Sequence, residues 1–309
     1  MAIIMTFPFR VHIHLGAHKT ATTFIQNWLM QNTALLRGNQ VAYIPLDTLR
    51  KRFSPCFLKL VRASQASSFA SASELADKIR GIIKADIESS GFDFASTRLL
   101  VLSEENLLGV MGPLTQTGVL YPALKMKMHC LAAVFEGCDV QAFMAIRNYQ
   151  EFYPSAYAET LRGGHIKPFG RFMDNLDLSG NSWLGVVETV EAALGPLKLW
   201  PYESFRANVG QILGALLGIQ VTPDMIRKQA PVRPSLTQKG LEVVMRSQGN
   251  LSAVELKRLV NLLSDRMVFE PPDAPIMIPD SLIRGQLDAK YRGELEQLAG
   301  RFIVNVPGR

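Results

Sequence analysis

The sequence predicts an α/β fold in which a central, mainly parallel sheet is flanked by helices in a three-layer sandwich. Short apolar segments alternate with helical patterns over the first two thirds of the 309 residues. This alternation is typical of βα units around a sheet that is covered on both faces. From residue 222 to residue 309 the pattern is mainly helical, and no flexible linker precedes it. We therefore predict a single domain, residues 1–309, in which residues 222–309 form a helical C-terminal cap.

The elements follow from the spacing of their apolar residues. Val11, Ile13 and Leu15 alternate with two histidines and stop at Gly16, which predicts the first strand. The same reasoning predicts further strands at 40–46, 98–109, 139–148 and 197–205. Helices are predicted at 22–36, 73–89, 120–135 and 151–164, and another that ends at residue 217. A polar, Ser/Ala-rich stretch from Ser64 to Ser73 predicts a mobile loop.

Composition excludes several classes of protein. A hydrophobic content of 48% with 19% charged residues is typical of a globular chain and excludes extended disorder. The net charge of +6 is spread along the chain, which disfavours a nucleic-acid-binding arm and suits a small polyanionic ligand. Cys56, Cys130 and Cys138 lack metal-ligand spacing and predict a reduced, cytoplasmic protein. No apolar stretch is long enough to predict a membrane-spanning helix.

The segment "GAHKTATT", residues 16–23, is the first candidate site. It joins the first strand to the first helix, and a helix N-terminus leaves backbone N–H groups unpaired, with partial positive charge. Lys19 adds a full charge, and three threonine hydroxyls can donate hydrogen bonds to an anion. The alternative is an ordinary βα turn with a threonine cap and a solvated lysine.

The spacing does not match a nucleotide triphosphate loop. That loop requires Gly-x-x-x-x-Gly-Lys-Ser/Thr, whereas Lys19 follows Gly16 by three residues and no glycine directly precedes it. The glycine-rich cradle for the β-phosphate is therefore missing, which disfavours ATP and GTP.

"GAHKTATT" instead resembles the 5′-phosphosulfate loop of sulfotransferases, particularly the bacterial branch with a His-Lys-Thr-Gly-Thr-Thr type of loop. That family has the fold of nucleotide kinases and binds 3′-phosphoadenosine 5′-phosphosulfate (PAPS) without a metal. The resemblance implies a donor-binding role for six residues: His18, Lys19, Thr20, Ala21, Thr22 and Thr23. Ala21 stands where glycine is common in the family. Alanine would be strained there if the position needs a positive φ, and harmless if it is already the first helical residue.

A second segment, "AIRNYQEFYPSAY" at residues 145–157, resembles the family's 3′-phosphate site. Arg147 ends a predicted strand, Ser155 follows eight residues later, and Tyr157 supplies the aromatic that comes next. Arginine offers a rigid fork to phosphate oxygens and serine adds a hydroxyl. The alternative is an Arg147–Glu151 pair with a serine packed in the helix. Arg233, in "VRPSLTQKG", is a further candidate for contact with the 3′-phosphate, with Lys239 as its alternative.

Sulfuryl transfer needs a cation at the leaving oxygen and a base near the acceptor. Lys19 suits the first role. The base histidine of the animal cytosolic branch is replaced by "VLSEEN", and bacterial relatives often carry a Ser-x-Glu-Asn form there. Adjacent strand residues point in opposite directions, so at most one carboxylate is expected to face the site. We predict Glu105 as the base, with Glu104 as the second candidate for the same role. The alternative is a helix-capping cluster.

Together these features favour a sulfotransferase that moves a sulfuryl group from PAPS to a hydroxyl or amine without a metal. The alternatives are an ATP-dependent phosphotransferase of related fold and a nucleotide-binding protein without turnover. Aromatic residues in the segments 53–73, 109–121 and 163–183 suggest a small or lipid-like apolar acceptor, which the sequence does not identify. No nucleic-acid partner and no stable membrane insertion are expected, and the sequence does not predict the oligomeric state.

Overall fold

The strands form one five-stranded parallel sheet. The structure, a computed structural model, describes residues 6–226, 236–265 and 273–306. The strands are β1 Arg10–His14, β2 Val41–Tyr43, β3 Leu99–Ser103, β4 Val140–Ile146 and β5 Leu197–Pro201. Their order across the sheet is β2-β3-β1-β4-β5, and every pairing is parallel. The predicted α/β fold with a mainly parallel sheet is confirmed.

Helices connect the strands and cover the sheet. Those that precede β3 are α1 Thr22–Gln31, α2 Thr33–Gly38, α3 Leu46–Thr48, α4 Ser54–Gln65 and α5 Phe69–Ser89. Those between β3 and β5 are α6 Gly112–Thr117, α7 Leu124–Val134, α8 Tyr149–Arg162, α9 Phe169–Asp174 and α10 Trp183–Leu194. Those that follow β5 are α11 Phe205–Leu217, α12 Pro223–Ile226, α13 Gln238–Ser247, α14 Ala253–Asp265 and α15 Ser281–Gln297.

The core is one continuous hydrophobic cluster that includes residues from Phe7 to Val304. Its centre is β1, where Val11 and Ile13 are fully buried between the two neighbouring strands. The opposite face of β1 packs beneath α11, where His12 Nδ1 lies 2.7 Å from the carbonyl oxygen of Leu216. Burial of this kind stabilises the sheet by about 25 cal/mol per Å² of apolar surface.

The C-terminal helix α15 is attached to the rest of the protein by buried polar contacts. Glu294 is 5% exposed and accepts hydrogen bonds from Tyr149 Oη at 2.7 Å and from Ser182 Oγ at 2.8 Å. One turn earlier, Lys290 Nζ donates to three carbonyl oxygens between residues 178 and 181. These contacts join α15 to α8 and to the start of α10, so the helical C-terminal part packs on the sheet layers.

Two local predictions were wrong. The helix predicted at 22–36 is two helices, because Asn32 leaves helical geometry at φ −109° and ψ 27° and its Nδ2 donates to the carbonyl of Trp28. The predicted loop from Ser64 to Ser73 is mostly helical, since α4 extends to Gln65 and α5 begins at Phe69. Packing of α4 against α5 buries Leu60 and Ile79, and tertiary contact of this kind overrides a weak local propensity.

Among the helices of the described ranges, none combines the length and the apolar character that a bilayer crossing requires.

Candidate functional site

The carboxyl ends of the three central strands bring the predicted site residues to one edge of the sheet. The loop after β1 carries Lys19, Glu104 and Glu105 follow β3, and Arg147 follows β4. Because β1 lies between β3 and β4, these ends are neighbours. Open parallel sheets bind ligands at this edge.

The loop after β1 carries a row of unpaired backbone donors. Lys19 and Ala21 both have positive φ, at 66° and 64°, on either side of Thr20. Alternation of this kind is typical of the concave backbone turns that bind anions. Within the described ranges, the N–H groups of residues 19–23 have no hydrogen-bond acceptor in the protein. They therefore form a set of available donors at the start of α1, where the helix dipole favours negative charge.

Gly16 is required by the shape of this loop. Its φ is +47°, and a Cβ built on it would lie 2.6 Å from Thr22 Oγ1 and 2.9 Å from Thr22 Cγ2. Both the backbone conformation and the close approach of Thr22 therefore demand a residue without a side chain.

The three predicted threonines differ in what their hydroxyls can do. Thr20 is buried and its hydroxyl donates to the carbonyl of Ala17 at 2.5 Å, which stabilises the loop itself. Thr22 is also buried, and its hydroxyl has no partner among the described residues. Thr23 is exposed. A buried hydroxyl without a partner is unfavourable, so a ligand that reaches Thr22 would satisfy it.

Ala21 has a positive φ, which is the strained one of the two conformations that the sequence left open. It is the N-cap of α1 in the left-handed conformation, with φ 64° and ψ 23°. A side chain in this region costs about 1–2 kcal/mol relative to an ordinary backbone conformation. The alanine therefore retains the backbone shape that glycine provides, at a cost in stability.

Lys19 is paired with a carboxylate on α8. Its Nζ lies 3.2 Å from Glu159 Oε2, and the two side chains are 24% and 44% exposed. The lysine is thus held at the edge of the loop by a partly solvated ion pair, which an anionic ligand can replace.

Arg147 connects the two predicted phosphate-binding motifs. Its Nη1 donates to the backbone carbonyl of Lys19 at 2.8 Å, and its Nη2 donates to Glu151 at 3.2 Å. The guanidinium lies over the ring of Tyr202, 4.3 Å from the ring centroid, which is a cation–π contact. Its Nε is buried and has no partner among the described residues. The guanidinium is thereby held against the loop, with one donor still unused.

Ser155 lies on α8 between the two carboxylates that bind these cations. Glu151, Ser155 and Glu159 are spaced four residues apart, so they share one face of the helix. That face contacts Arg147 at one end and Lys19 at the other. Ser155 is half-buried. It lies one helical turn from Glu151, the partner of Arg147, and one turn from Glu159, the partner of Lys19.

His18 is neutral at physiological pH. Burial lowers the pKa of His18 to about 4, although a hydrogen bond with Asn106 acts in the opposite direction. The backbone N–H of His18 donates to Tyr121 Oη at 3.2 Å, and its Nδ1 lies 3.1 Å from the same oxygen. His18 therefore orients the loop as an uncharged side chain.

Glu104 and Glu105 both contact one guanidinium. Arg50 donates to the two oxygens of Glu104 at 3.0 Å each and to Glu105 Oε1 at 2.9 Å. The prediction that the two side chains point in opposite directions was wrong, because a 3₁₀ turn begins at Glu105 and leaves the extended geometry. Glu104 is buried and also caps this turn by accepting from the N–H of Asn106. Glu105 Oε2 accepts from Gln26 of α1 at 3.2 Å.

Several other predictions concern residues away from this edge. Arg233 lies outside the described residues. The aromatic residues that suggested an apolar acceptor pack inward: Phe57, Phe172 and Trp183 are buried in the core, and Phe169 packs on Tyr157. The segment 53–73, one of the three whose aromatic residues suggested an apolar acceptor, is largely α4 and α5.

Among the described residues, no metal cluster marks this edge. The described ranges contain no group of three or more His, Cys, Asp or Glu side chains arranged to hold a metal ion. A cavity of about 290 Å³ lies between α4, α5 and α7, and residues of the loop after β1 do not line it.

Sequence reasoning missed four residues of the site: Arg50, Tyr121, Glu159 and Tyr202. Glu159 could have been found from the helical spacing Glu151, Ser155 and Glu159 on the helix predicted at 151–164. Arg50 and Tyr121 reach the site through contacts distant in sequence, for which the local pattern carries no signal.

Comparisons of the chain with known proteins give no identification: no protein-family model matches it, and no curated protein matches it significantly.

Proposed function

We propose that the protein is a sulfotransferase that uses PAPS as donor and acts without a metal on a hydroxyl or amine acceptor. The contact between Arg147 and Lys19 is the observation that carries the proposal. These residues belong to two motifs that are 128 positions apart in sequence, and the guanidinium donates to the carbonyl of the lysine. The resemblance to a 5′-phosphosulfate loop and a 3′-phosphate site requires the two motifs to be adjacent, and they are.

The proposed roles follow from the hydrogen-bond donors that the site offers. The N–H groups of residues 19–23, with Lys19 and the hydroxyls of Thr22 and Thr23, would hold the 5′-phosphosulfate. Arg147 and Ser155 would hold the 3′-phosphate through the terminal guanidinium nitrogens and the serine hydroxyl. Arg233 stays a prediction for the same phosphate.

PAPS supplies a sulfuryl group whose bond to the 5′-phosphate breaks as the acceptor oxygen or nitrogen bonds to sulfur. The electron pair of the broken bond stays on the phosphate oxygen, where Lys19 offers a positive charge. The acceptor loses its proton to a base, for which Glu105, with Glu104 as substitute, stays the prediction. Glu105 is better placed of the two because Glu104 is 1% exposed and holds three hydrogen bonds.

The position of Arg50 weighs against the phosphotransferase alternative. A kinase of related fold holds Mg²⁺ with a carboxylate that follows a strand. At the corresponding strand end, both carboxylates are engaged by Arg50. A divalent cation would have to displace a guanidinium, which binds carboxylates strongly as a two-pronged donor. A nucleotide-binding protein without turnover would retain the same nucleotide site and lack the transfer to an acceptor.

The acceptor and the location belong to the same proposal. The acceptor is a small or lipid-like molecule, although the inward packing of the aromatic residues removes the main argument for an apolar one. The free thiols of the three cysteines favour the cytoplasm.

A screen with ³⁵S-labelled PAPS tests the activity. Phenols, aliphatic alcohols, amines and lipid extracts are offered as acceptors, and Lys19→Ala serves as the inactive variant. Label transfer that requires Lys19 supports the proposal. Transfer of label from γ-³²P-ATP but not from PAPS would contradict it.

A further inference from the structure

Each cation at the proposed donor site is already paired with a carboxylate of α8. Lys19 Nζ lies 3.2 Å from Glu159, and Arg147 Nη2 lies 3.2 Å from Glu151. The two glutamates are eight residues apart on one face of the helix, with Ser155 between them. In the proposed complex, both cations must turn to phosphate oxygens instead.

The exposure of these pairs indicates that they can be exchanged. Glu159 is 44% exposed and Glu151 is 53% exposed, whereas their partners Lys19 and Arg147 are 24% and 14% exposed. The cations are therefore fixed against the loop while the carboxylates reach them from solvent. A partly solvated carboxylate that leaves a cation regains water, so its displacement costs little.

The charges decide which anion replaces the glutamates. A singly charged anion would replace a carboxylate by a group of similar charge, so the exchange would contribute little free energy of binding. A phosphate monoester carries about 1.5 to 2 negative charges at neutral pH and several acceptor oxygens, so it binds the same cation more strongly.

We propose that Glu159 and Glu151 are specificity-determining residues that compete with the ligand for the two cations. Glu159 competes for Lys19 and Glu151 for Arg147, and this competition sets the affinity for the phosphate group at each end of the nucleotide. The inference rests on the proposed function for the assignment of the 5′ end to Lys19 and of the 3′ end to Arg147. The carboxylates re-form their ion pairs when the nucleotide leaves, which favours product release.

Calorimetric titration with three nucleotides at low ionic strength tests this proposal. The probes are 3′-phosphoadenosine 5′-phosphate, adenosine 5′-monophosphate and adenosine 3′-monophosphate. Glu159→Gln should tighten binding of the two 5′-phosphorylated probes about fivefold and leave the 3′-monophosphate within about twofold. Glu151→Gln should tighten the two 3′-phosphorylated probes and leave the 5′-monophosphate within the same limit. The gain from Glu159→Gln should disappear in a Lys19→Ala background, since the competition acts through that lysine.

Asp139→Asn is the matched control. It removes one negative charge from a surface ion pair, Arg10–Asp139, at the opposite end of β4. Its affinities should stay within about twofold of those of the unmodified protein, because the pair lies away from the site.

The outcomes separate this inference from the proposed function. Unchanged affinities in both variants, or equal tightening of all three probes, would overturn the competition. Tightening with the two ends exchanged would support the competition and contradict the proposed orientation of the nucleotide. If no nucleotide binds, the proposed function fails. Inorganic pyrophosphate then serves as the probe: tighter binding by Glu159→Gln supports the competition, and unchanged affinity overturns it.

Discussion

Replacement of Ala21 by glycine should stabilise the protein. Ala21 has φ 64° and ψ 23° at the start of α1, a conformation that costs a residue with a Cβ about 1–2 kcal/mol. Glycine removes that cost but adds about 0.4–1 kcal/mol of unfolded-state entropy. The difference predicts that Ala21→Gly raises the free energy of unfolding by about 0.5–1 kcal/mol.

Urea denaturation measures this change as a higher midpoint with an unchanged slope. Ala17→Gly is the matched control, because Ala17 lies in the same loop, is fully buried and lacks a positive φ. There the glycine relieves no strain, so Ala17→Gly should lower the free energy of unfolding by about 0.5–1 kcal/mol or more. A midpoint for Ala21→Gly equal to or below that of the unmodified protein would refute the assignment of strain to this position.

Three further predictions concern the groups around the loop. The pKa of His14 is about 3 because it is fully buried, and partial burial lowers the pKa of His18 to about 4. The unfolded chain therefore binds protons that the folded protein does not. The free energy of unfolding should therefore fall as pH decreases from 6.5 to about 4, by at most about 1.4 kcal/mol per pH unit for each histidine. His18→Gln should reduce that slope, and an identical slope would contradict the lowered pKa of His18. Arg50→Ala should lower the free energy of unfolding by about 2–3 kcal/mol in urea denaturation, because it leaves the buried carboxylate of Glu104 without its cation. Arg10→Ala, which breaks an exposed pair, should lower it by less than about 1 kcal/mol. Equal losses in the two variants would contradict the role of Arg50. Glu105→Gln should retain binding of 3′-phosphoadenosine 5′-phosphate and lose label transfer, and full transfer would remove Glu105 as the base.

The strands were predictable because their residues carry the pattern locally. The run around Val11 and Ile13 is apolar and ends at Gly16, and the observed β1 begins one residue earlier, at Arg10. The other four predicted strands each contain an observed one. The break between α1 and α2 was missed because the apolar spacing continues through Asn32, whose side chain ends the helix. The helical nature of the Ser/Ala-rich segment was missed because it depends on packing between α4 and α5 rather than on local preference.

The site was predictable in its composition, but most of its ion pairs were not. Lys19 and Arg147 could be named from the sequence, and the parallel sheet explains why they meet. The Arg147–Glu151 pair, which the sequence offered as an alternative, is local at i, i+4 and is observed. The partner Glu159 of Lys19 and the contact of Tyr202 with Arg147 depend on how α8 and the fifth strand pack at this edge. The engagement of both predicted base carboxylates by Arg50 depends on a residue more than 50 positions earlier, which no local pattern connects to them.

Calorimetric titration with 3′-phosphoadenosine 5′-phosphate, beside ATP with Mg²⁺, tests the central claim most directly. The proposed site predicts tight, metal-independent binding of the bisphosphorylated nucleotide and weak binding of ATP. In Arg147→Ala, the preference for 3′-phosphoadenosine 5′-phosphate over adenosine 5′-monophosphate should fall, because the guanidinium binds the added phosphate. Preferential binding of ATP with Mg²⁺, or an unchanged preference in Arg147→Ala, would contradict the account.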